Sequence, residues 1–197
     1  TDINGDDNIK GGTGNDVVNS GDGFDLILLG DGHDFSVGGE DANETFGGAG
    51  NDYIIGGDDA DTVFGDEGDD WIEGGTGNDL LQGDFGAPFQ DSAHVGNDVI
   101  MGGAGGDDYD AESGDDVMLA DDGIERSEGM LGFDWVTYKN DVRAANADMQ
   151  FTGLLPPDLD AIRDRFDMVE GLSGWDLIGA LRGDDSDTAL LSAIDVP

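Results

Sequence analysis

A nine-residue repeat runs from residue 2 to residue 137 of this 197-residue chain. Residues 47–55 and 74–82 are clean copies of the pattern G-G-x-G-x-D-x-U-x, in which U is apolar. Fourteen frames follow in this register, and the tenth contains an insertion at residues 86–95. A fixed period of this length predicts a solenoid, in which each repeat buries its apolar face against its neighbours.

Each frame divides into a Gly-rich turn of six residues and a short strand of three. Strand alternation points the eighth residue inward and its two neighbours outward. Two frames make one coil, so we predict an all-β, right-handed parallel β-roll (a β-solenoid) with 18 residues per coil. The predicted inward residues are Ile9, Val18, Ile27, Ser36, Thr45, Ile54, Val63, Ile72, Leu81, Ile100, Tyr109, Met118, Ser127 and Val136.

The composition is strongly acidic, with 47 Asp and Glu residues against 7 Lys and Arg, a net charge of −40. This charge excludes nucleic acid as a natural partner and disfavours an anionic membrane surface. The sequence has no apolar run of about 18 residues that would span a bilayer. The absence of Cys excludes disulfides and thiolate metal sites. A chain this acidic stays disordered unless its carboxylates are neutralised.

The sixth position of the repeat is Asp in twelve of the fourteen frames, with Asn43 and Glu125 as the exceptions. Asp favours turns in general, but turn preference would not select one fixed position so often. Stacking places equivalent turns 18 residues apart, so that Asp52, for example, faces Asp70. Carboxylates this close repel unless a cation lies between them. Ca²⁺ suits such a turn because it takes 6–8 oxygen ligands, backbone carbonyls included.

The predicted metal ligands are therefore the sixth-position side chains and the carbonyls of the turns. The side chains are Asp7, Asp16, Asp25, Asp34, Asn43, Asp52, Asp61, Asp70, Asp79, Asp98, Asp107, Asp116 and Asp134. The carbonyls include those of Gly12, Gly14, Gly48, Gly50, Gly57, Gly75, Gly77, Gly103 and Gly105. We expect about eight to eleven ions, because Asn43, Glu125 and the frames with Asp41 or Asp59 in place of Gly weaken some sites.

The nonapeptide resembles the RTX (repeats-in-toxin, hemolysin-type calcium-binding) family over residues 2–137. The resemblance implies Ca²⁺ held between stacked turns. It also implies a module of a larger protein that a Gram-negative bacterium exports by a type I system. Such a module would stay unfolded in the low Ca²⁺ of the cytosol, fold outside the cell, and support the secretion and stability of its carrier. We expect no catalysis from this chain itself.

The two sheets of the predicted solenoid differ on their outer faces. One presents an apolar and aromatic stripe, whereas the other is mixed. The stripe comprises Val17, Phe35, Tyr53, Trp71, Val99, Val117 and Trp135. Strand propensity alone favours such residues. The alternative is that the stripe contacts another part of the chain, a second copy or a partner, as in an adhesion or oligomerisation module.

The repeat ends at residue 137, and we predict that residues 138–197 cap the open end of the solenoid. We expect strands near residues 147–151, 168–172 and 177–181, and a short helix that begins at Asp158 with Leu159, Ile162 and Phe166 on one face. The insertion at residues 86–95 is predicted to be a surface loop.

The C-terminal part carries a second likeness. Asp134, Tyr138, Glu170, Leu172 and Gly174 match a module that often interrupts or ends RTX arrays. The stretch 155–175 resembles the distal ends of large bacterial RTX proteins that bear haem-peroxidase domains. An alternative function is therefore an accessory domain of a secreted enzyme, such as a haem peroxidase, a protease or an epimerase, whose catalytic domain lies upstream.

Overall fold

The computed structural model describes residues 4–84, 95–121, 123–139, 146–148, 164–174, 180–182 and 190–192. These residues form an all-β parallel solenoid of about seven coils with about 18 residues per coil, as the nine-residue period predicts. The described ranges contain no helix. None of their elements could therefore cross a bilayer as an apolar helix. The right-handed winding stays a prediction, in line with the rule for parallel crossovers.

Two long sheets form the opposite walls of the solenoid. The first sheet contains, in spatial order, β1 (Asn8–Thr13), β3 (Leu26–Asp31), β5 (Glu44–Ala49), β7 (Thr62–Glu67), β9 (Leu80–Gln82), β11 (Asp108–Asp110), β13 (Arg126–Glu128) and β16 (Arg165–Asp167). The second contains β2 (Val17–Asp22), β4 (Phe35–Glu40), β6 (Tyr53–Asp58), β8 (Trp71–Gly77), β10 (Val99–Gly105), β12 (Val117–Leu119), β14 (Trp135–Thr137), β17 (Gly171–Ser173) and β19 (Leu190–Ser192). A separate pair joins β15 (Asn146–Asp148) to β18 (Ala180–Arg182).

Equivalent residues pair across coils in strict register. Ile27 pairs with Thr45, and Thr45 pairs with Val63, so each step equals two nonapeptides. Trp71 pairs with Val99 across the insertion, and the register then continues unchanged. The extra residues therefore leave and rejoin the solenoid at one turn. The conformation of the predicted loop itself, at residues 86–94, lies outside the described residues.

The core follows the eighth position of the repeat. Thirteen of the fourteen predicted inward residues are buried, and Ile9, near the first coil's open end, packs partly buried against them. Ser36, Thr45 and Ser127 occupy core positions that are otherwise apolar or Tyr. The hydroxyl oxygens of Ser36 and Ser127 have no hydrogen-bond partner. Burial of the core side chains is therefore least favourable in the coils of Ser36 and Ser127.

The C-terminal segment extends both sheets beyond residue 137. β16 pairs with β13, and β17 pairs with β14 and β19. β15, β17 and β18 lie near the three predicted strands. Phe166 was expected on a helix, but it lies in β16, buried against the core, because its strand pairs residue for residue with β13. The rest of the predicted helix, residues 158–163, lies outside the described residues, and the division at 137 stays a proposal.

The aromatic stripe runs along the outer face of the second sheet. Ring centroids lie 5.5 Å apart for Phe35 and Tyr53 and 5.9 Å apart for Tyr53 and Trp71. These three side chains remain 36–38% exposed, so the described part of the chain does not bury them. Each ring instead covers its neighbours along the sheet.

Candidate metal sites

The sixth-position side chains form two columns, one on each edge of the solenoid, and a ladder of hydrogen bonds connects each column. The backbone N–H of Asp52 donates to Oδ1 of Asp70 at 2.7 Å, and that of Asp70 donates to Oδ1 of Asp98 at 2.8 Å. In the other column Asp61 N–H donates to Oδ1 of Asp79 at 2.9 Å. From Asp25 onward, the sixth-position Asp carboxylates are thereby fixed against the preceding coil by one of their two oxygens.

The other oxygen has no such partner. Oδ2 is buried and accepts no hydrogen bond in Asp7, Asp16, Asp25, Asp34, Asp52, Asp61, Asp70, Asp79, Asp98, Asp107, Asp116 and Asp134. Buried polar atoms in folded proteins nearly always have a partner. Twelve unpartnered carboxylate oxygens at one repeat position therefore fit a common role in cation binding.

Nine of the fourteen frames begin with Gly, and the space at this first Gly indicates where a cation would lie. A methyl group at Gly56 would lie 2.5 Å from Oδ2 of Asp61 and 2.6 Å from the carbonyl oxygen of Gly74, one coil further on. Gly56 has no left-handed φ, so a side chain at Gly56 is excluded by lack of space and not by backbone conformation. Two oxygens thus surround one point at distances close to the 2.3–2.6 Å of Ca²⁺–oxygen bonds. We call this arrangement the cradle.

The cradle recurs along both columns. A methyl group at Gly65 would lie 2.4 Å from Oδ2 of Asp70 and 2.7 Å from the carbonyl oxygen of Gly83. At Gly74 the corresponding distance to Oδ2 of Asp79 is 2.3 Å. The donors are carboxylates and carbonyls, the hard oxygen ligands that Ca²⁺ prefers. The residues present therefore fit this ion.

Two kinds of turn carbonyl lie close to the sixth-position side chains. The carbonyl of Gly14, which was predicted, lies 2.3 Å from the methyl position of Gly32, where Oδ1 of Asp34 is 2.8 Å away. The carbonyls that share a methyl position with the unpartnered Oδ2 atoms belong to first-position residues such as Gly74 and Gly83. They are not among the carbonyls that the sequence singled out. The signal was the Gly at that position, which a turn requirement for positive φ does not explain.

The second and fourth positions are the ones that require left-handed backbone. Gly48 has φ 105°, and a methyl group there would meet the carbonyl oxygen of Gly30 at 2.2 Å. Asp41 and Asp59 replace the fourth Gly and take φ 66° and 65°. Asp tolerates this region better than most residues, so both turns keep their shape. Whether their ion affinity is weaker stays a prediction.

Asn43 is the one sixth-position amide, and both of its side-chain polar atoms have hydrogen-bond partners. Its Oδ1 accepts the N–H of Asp25 at 2.9 Å, as a carboxylate would. Its Nδ2 donates to the carbonyl oxygen of Asp41 at 2.8 Å. The amide therefore supplies a positive donor where other frames have an unpartnered oxygen.

Burial raises the pKa of the cradle carboxyl groups of Asp61, Asp70 and Asp98. The pKa values of Asp70 and Asp98 rise to about 8, and that of Asp61 rises to about 7. Burial is the main cause, and neighbouring carboxylates add to it, whereas the backbone hydrogen bonds of the ladder oppose it. Without a cation, these groups would thus bind protons at neutral pH.

Two acidic residues beyond the repeat continue the columns. Asp164 Oδ1 accepts the N–H of Glu125 at 3.2 Å, and Glu170 Oε2 accepts that of Asp134 at 2.9 Å. Neither was predicted as a site residue. The nine-residue register could not find them, because the chain returns to the columns only through the pairing of β16 and β17.

The comparison with protein families agrees with this geometry. A model of the RTX calcium-binding nonapeptide repeat matches the chain in four copies, at residues 3–36, 37–72, 64–87 and 93–118. Together these segments cover more than half of the chain. No curated protein matches the chain. The matched segments contain the two columns from Asp7 to Asp116.

Proposed function

This chain belongs to the RTX calcium-binding nonapeptide repeat family, and we propose that it is a module whose folding is driven by Ca²⁺. The observation that carries the proposal is the set of buried, unpartnered Oδ2 atoms that line the cradles. Such atoms are costly in an ion-free fold. In the cradles, a bound ion would supply the positive charge that these oxygens lack.

We assign the ligands by repeat position. The sixth-position Asp side chains provide Oδ2, and the first-position and fourth-position residues of the adjoining coils provide carbonyl oxygens. The Asn43 turn is satisfied by its own amide and contributes less to ion binding. This assignment keeps the expected number of ions at about eight to eleven.

The energetics favour coupled folding and binding. The net charge of −40 opposes a compact ion-free state, and ten ions would offset half of it. Each site that binds only the folded chain adds about 2.7 kcal/mol when free Ca²⁺ exceeds its Kd a hundredfold. Several such sites exceed the 5–15 kcal/mol stability that is usual for a domain. The chain would therefore switch between disorder and a solenoid over a narrow range of Ca²⁺.

This switch suits a protein that is made in one compartment and works in another. In low cytosolic Ca²⁺ the chain would stay extended and exportable, and in the millimolar Ca²⁺ range outside the cell it would fold. Membership of the family supports the setting of a larger secreted bacterial protein with type I export. The module would then promote the export of its carrier protein and stabilise that protein outside the cell. An upstream catalytic domain is compatible with this role.

The aromatic stripe supports a second candidate function. Phe35, Tyr53 and Trp71 stay more than one-third exposed although they lie side by side on one face. An adhesion or oligomerisation module would use such a face. Sedimentation of the full chain in Ca²⁺ tests it, because a monomer at all concentrations would argue against self-association.

A calcium titration tests the main proposal. After chelation, the chain should show the circular dichroism of a disordered protein and regain strand signal as Ca²⁺ is added, and calorimetry should count the bound ions. Mg²⁺ at equal ionic strength is the control, because its strict octahedral geometry at shorter distances does not suit the cradle. An unchanged spectrum on adding millimolar Ca²⁺ would contradict the proposal.

A further inference from the structure

One turn departs from the repeat at three positions at once. The frame at residues 120–128 has Ala120 at the first position, Asp121 at the second and Glu125 at the sixth. The sequence predicts a weak site here, because Glu125 replaces the sixth-position Asp. The structure nevertheless brings together one oxygen each of Asp107, Asp121 and Glu125, all within 4.8 Å of one another.

Glu125 is the feature that needs an explanation. Its side chain is 0% exposed, and neither of its carboxylate oxygens accepts a hydrogen bond. Regular sixth-position carboxylates keep one oxygen in the ladder, as Asp70 does. Neither oxygen of Glu125 takes part in the ladder. Oδ2 of the adjacent Asp107 is likewise buried without a partner.

The surrounding groups hold the three carboxylates in place. Asp121 Oδ2 accepts the N–H of Gly103 at 2.8 Å, which fixes that side chain across one coil. A methyl group at Gly123 would lie 2.4 Å from Oε1 of Glu125 and would overlap the carbonyl oxygen of Gly105. A fourth-position carbonyl thus lies beside the carboxylate, as the carbonyl of Gly14 lies near Asp34.

Other charged groups border this cluster. The carboxylate of Asp164 lies next to Glu125, whose N–H it accepts, and it also accepts the hydroxyl of Tyr138. Arg126 follows Glu125 in the chain, but its guanidinium lies on the outer face, where it pairs with Asp108, Asp110 and Glu128. The arginine thus neutralises the outer carboxylates and not the buried cluster.

We propose that Asp107, Asp121 and Glu125 form a carboxylate-rich Ca²⁺ site that differs in ligand set from the regular cradles. The inference rests on the proposed function, because it assumes that the columns bind Ca²⁺. Three carboxylates close together repel one another, and a divalent cation relieves that repulsion. Ca²⁺ affinity rises with the charge of the ligand set. This site therefore binds its ion about tenfold or more tightly than a regular cradle, and releases it last on chelation.

The test counts ions in the full chain by calorimetry and native mass spectrometry. Glu125→Gln should bind one ion fewer and lose the tightest binding step, while the remaining ions keep their affinities. Glu128→Gln is the matched control: it removes the same charge from the same strand, but on the outer face. Unchanged ion count and affinity in Glu125→Gln would overturn the proposal, because a protonated structural Glu tolerates an amide.

A second variant keeps the test decisive if Glu125→Gln fails to fold. Asp121→Asn retains an oxygen for the N–H of Gly103 but loses the charge, and it should lose the same tight step. If it binds as the wild type does, the site is not there. Asp52→Asn, in a regular cradle of the other column, separates this proposal from the function. If Asp52→Asn loses an ion but Glu125→Gln and Asp121→Asn do not, only the new site is refuted. If the wild type binds no Ca²⁺, both the new site and the proposed function are refuted.

Discussion

Replacing Asp70 by Asn should have opposite effects with and without Ca²⁺. Asp70 Oδ1 accepts the N–H of Asp52, and an Asn oxygen would keep this bond, as Asn43 does in the other column. The Oδ2 atom, which faces the carbonyl of Gly83 across the cradle, would become an NH₂ group that can donate to it. The variant therefore removes a metal ligand and relieves a buried unpartnered oxygen.

The raised pKa of Asp70 sets the magnitude for the ion-free chain. Its pKa is about 8 in the fold against an ordinary value of 3.8, mainly because of burial and the carboxylates of Asp52, Asp84 and Asp66. Folding at pH 7 therefore requires proton uptake. At 1.36 kcal/mol per pH unit above 3.8, this costs about 4 kcal/mol. An Asn avoids the cost. At pH 5 the difference falls to about 2 kcal/mol.

The sign of the pH dependence follows from the raised pKa. Stability from the protonated carboxyl is fully present below pH 3.8 and is lost as the pH rises through 8. In chelator, the wild type should therefore gain strand signal as the pH falls from 8 towards 5. Asp70→Asn should gain it at a higher pH. In Ca²⁺ the same variant should bind one ion fewer and need more Ca²⁺ to fold.

Circular dichroism against pH in chelator and against Ca²⁺ at pH 7 measures both effects. Asp69→Asn is the matched control, because Asp69 is the exposed neighbour and an Asn there can still accept the N–H of Asn97. At either midpoint, the control should change the free energy of unfolding by less than about 1 kcal/mol. If Asp70→Asn loses strand signal in chelator at every pH, or behaves like the control, the reasoning is wrong.

Three further predictions concern the cradle, a buried hydroxyl and the core. Gly74→Ala should lose one Ca²⁺ by native mass spectrometry, because its methyl group would lie 2.3 Å from a cradle oxygen, whereas Gly106→Ala, with no contact under 3.3 Å, should not. Tyr109→Phe should lower the free energy of unfolding, measured by urea titration in Ca²⁺, by about 1–3 kcal/mol, because the backbone N–H of Gly102 and the carbonyl of Leu119 lose their hydroxyl partner. Ile72→Ala should cost about 2–5 kcal/mol in the same urea titration, because Ile72 is fully buried. Equal stability of either variant and the wild type would contradict its assignment.

The regular part of the fold was predictable because one period fixes it. Strand alternation determines which residue of three points inward, so Ile54 and Val63 could be placed in the core from position alone. The same period aligns turns every 18 residues, which put Asp52 beside Asp70. Family membership and the calcium chemistry follow from the same nine residues. These predictions depend on local geometry repeated many times.

The tertiary structure decided what the period does not contain. Asp164 and Glu170 join the columns only because distant strands pair with β13 and β14, and Phe166 is a strand residue for the same reason. The meeting of Glu125 with Asp107 and Asp121 is a property of stacked coils and of a longer side chain where the ladder is broken. The repeat determines the spacing of its own residues. The contacts of residues that depart from the repeat depend on the side chains of the neighbouring coils.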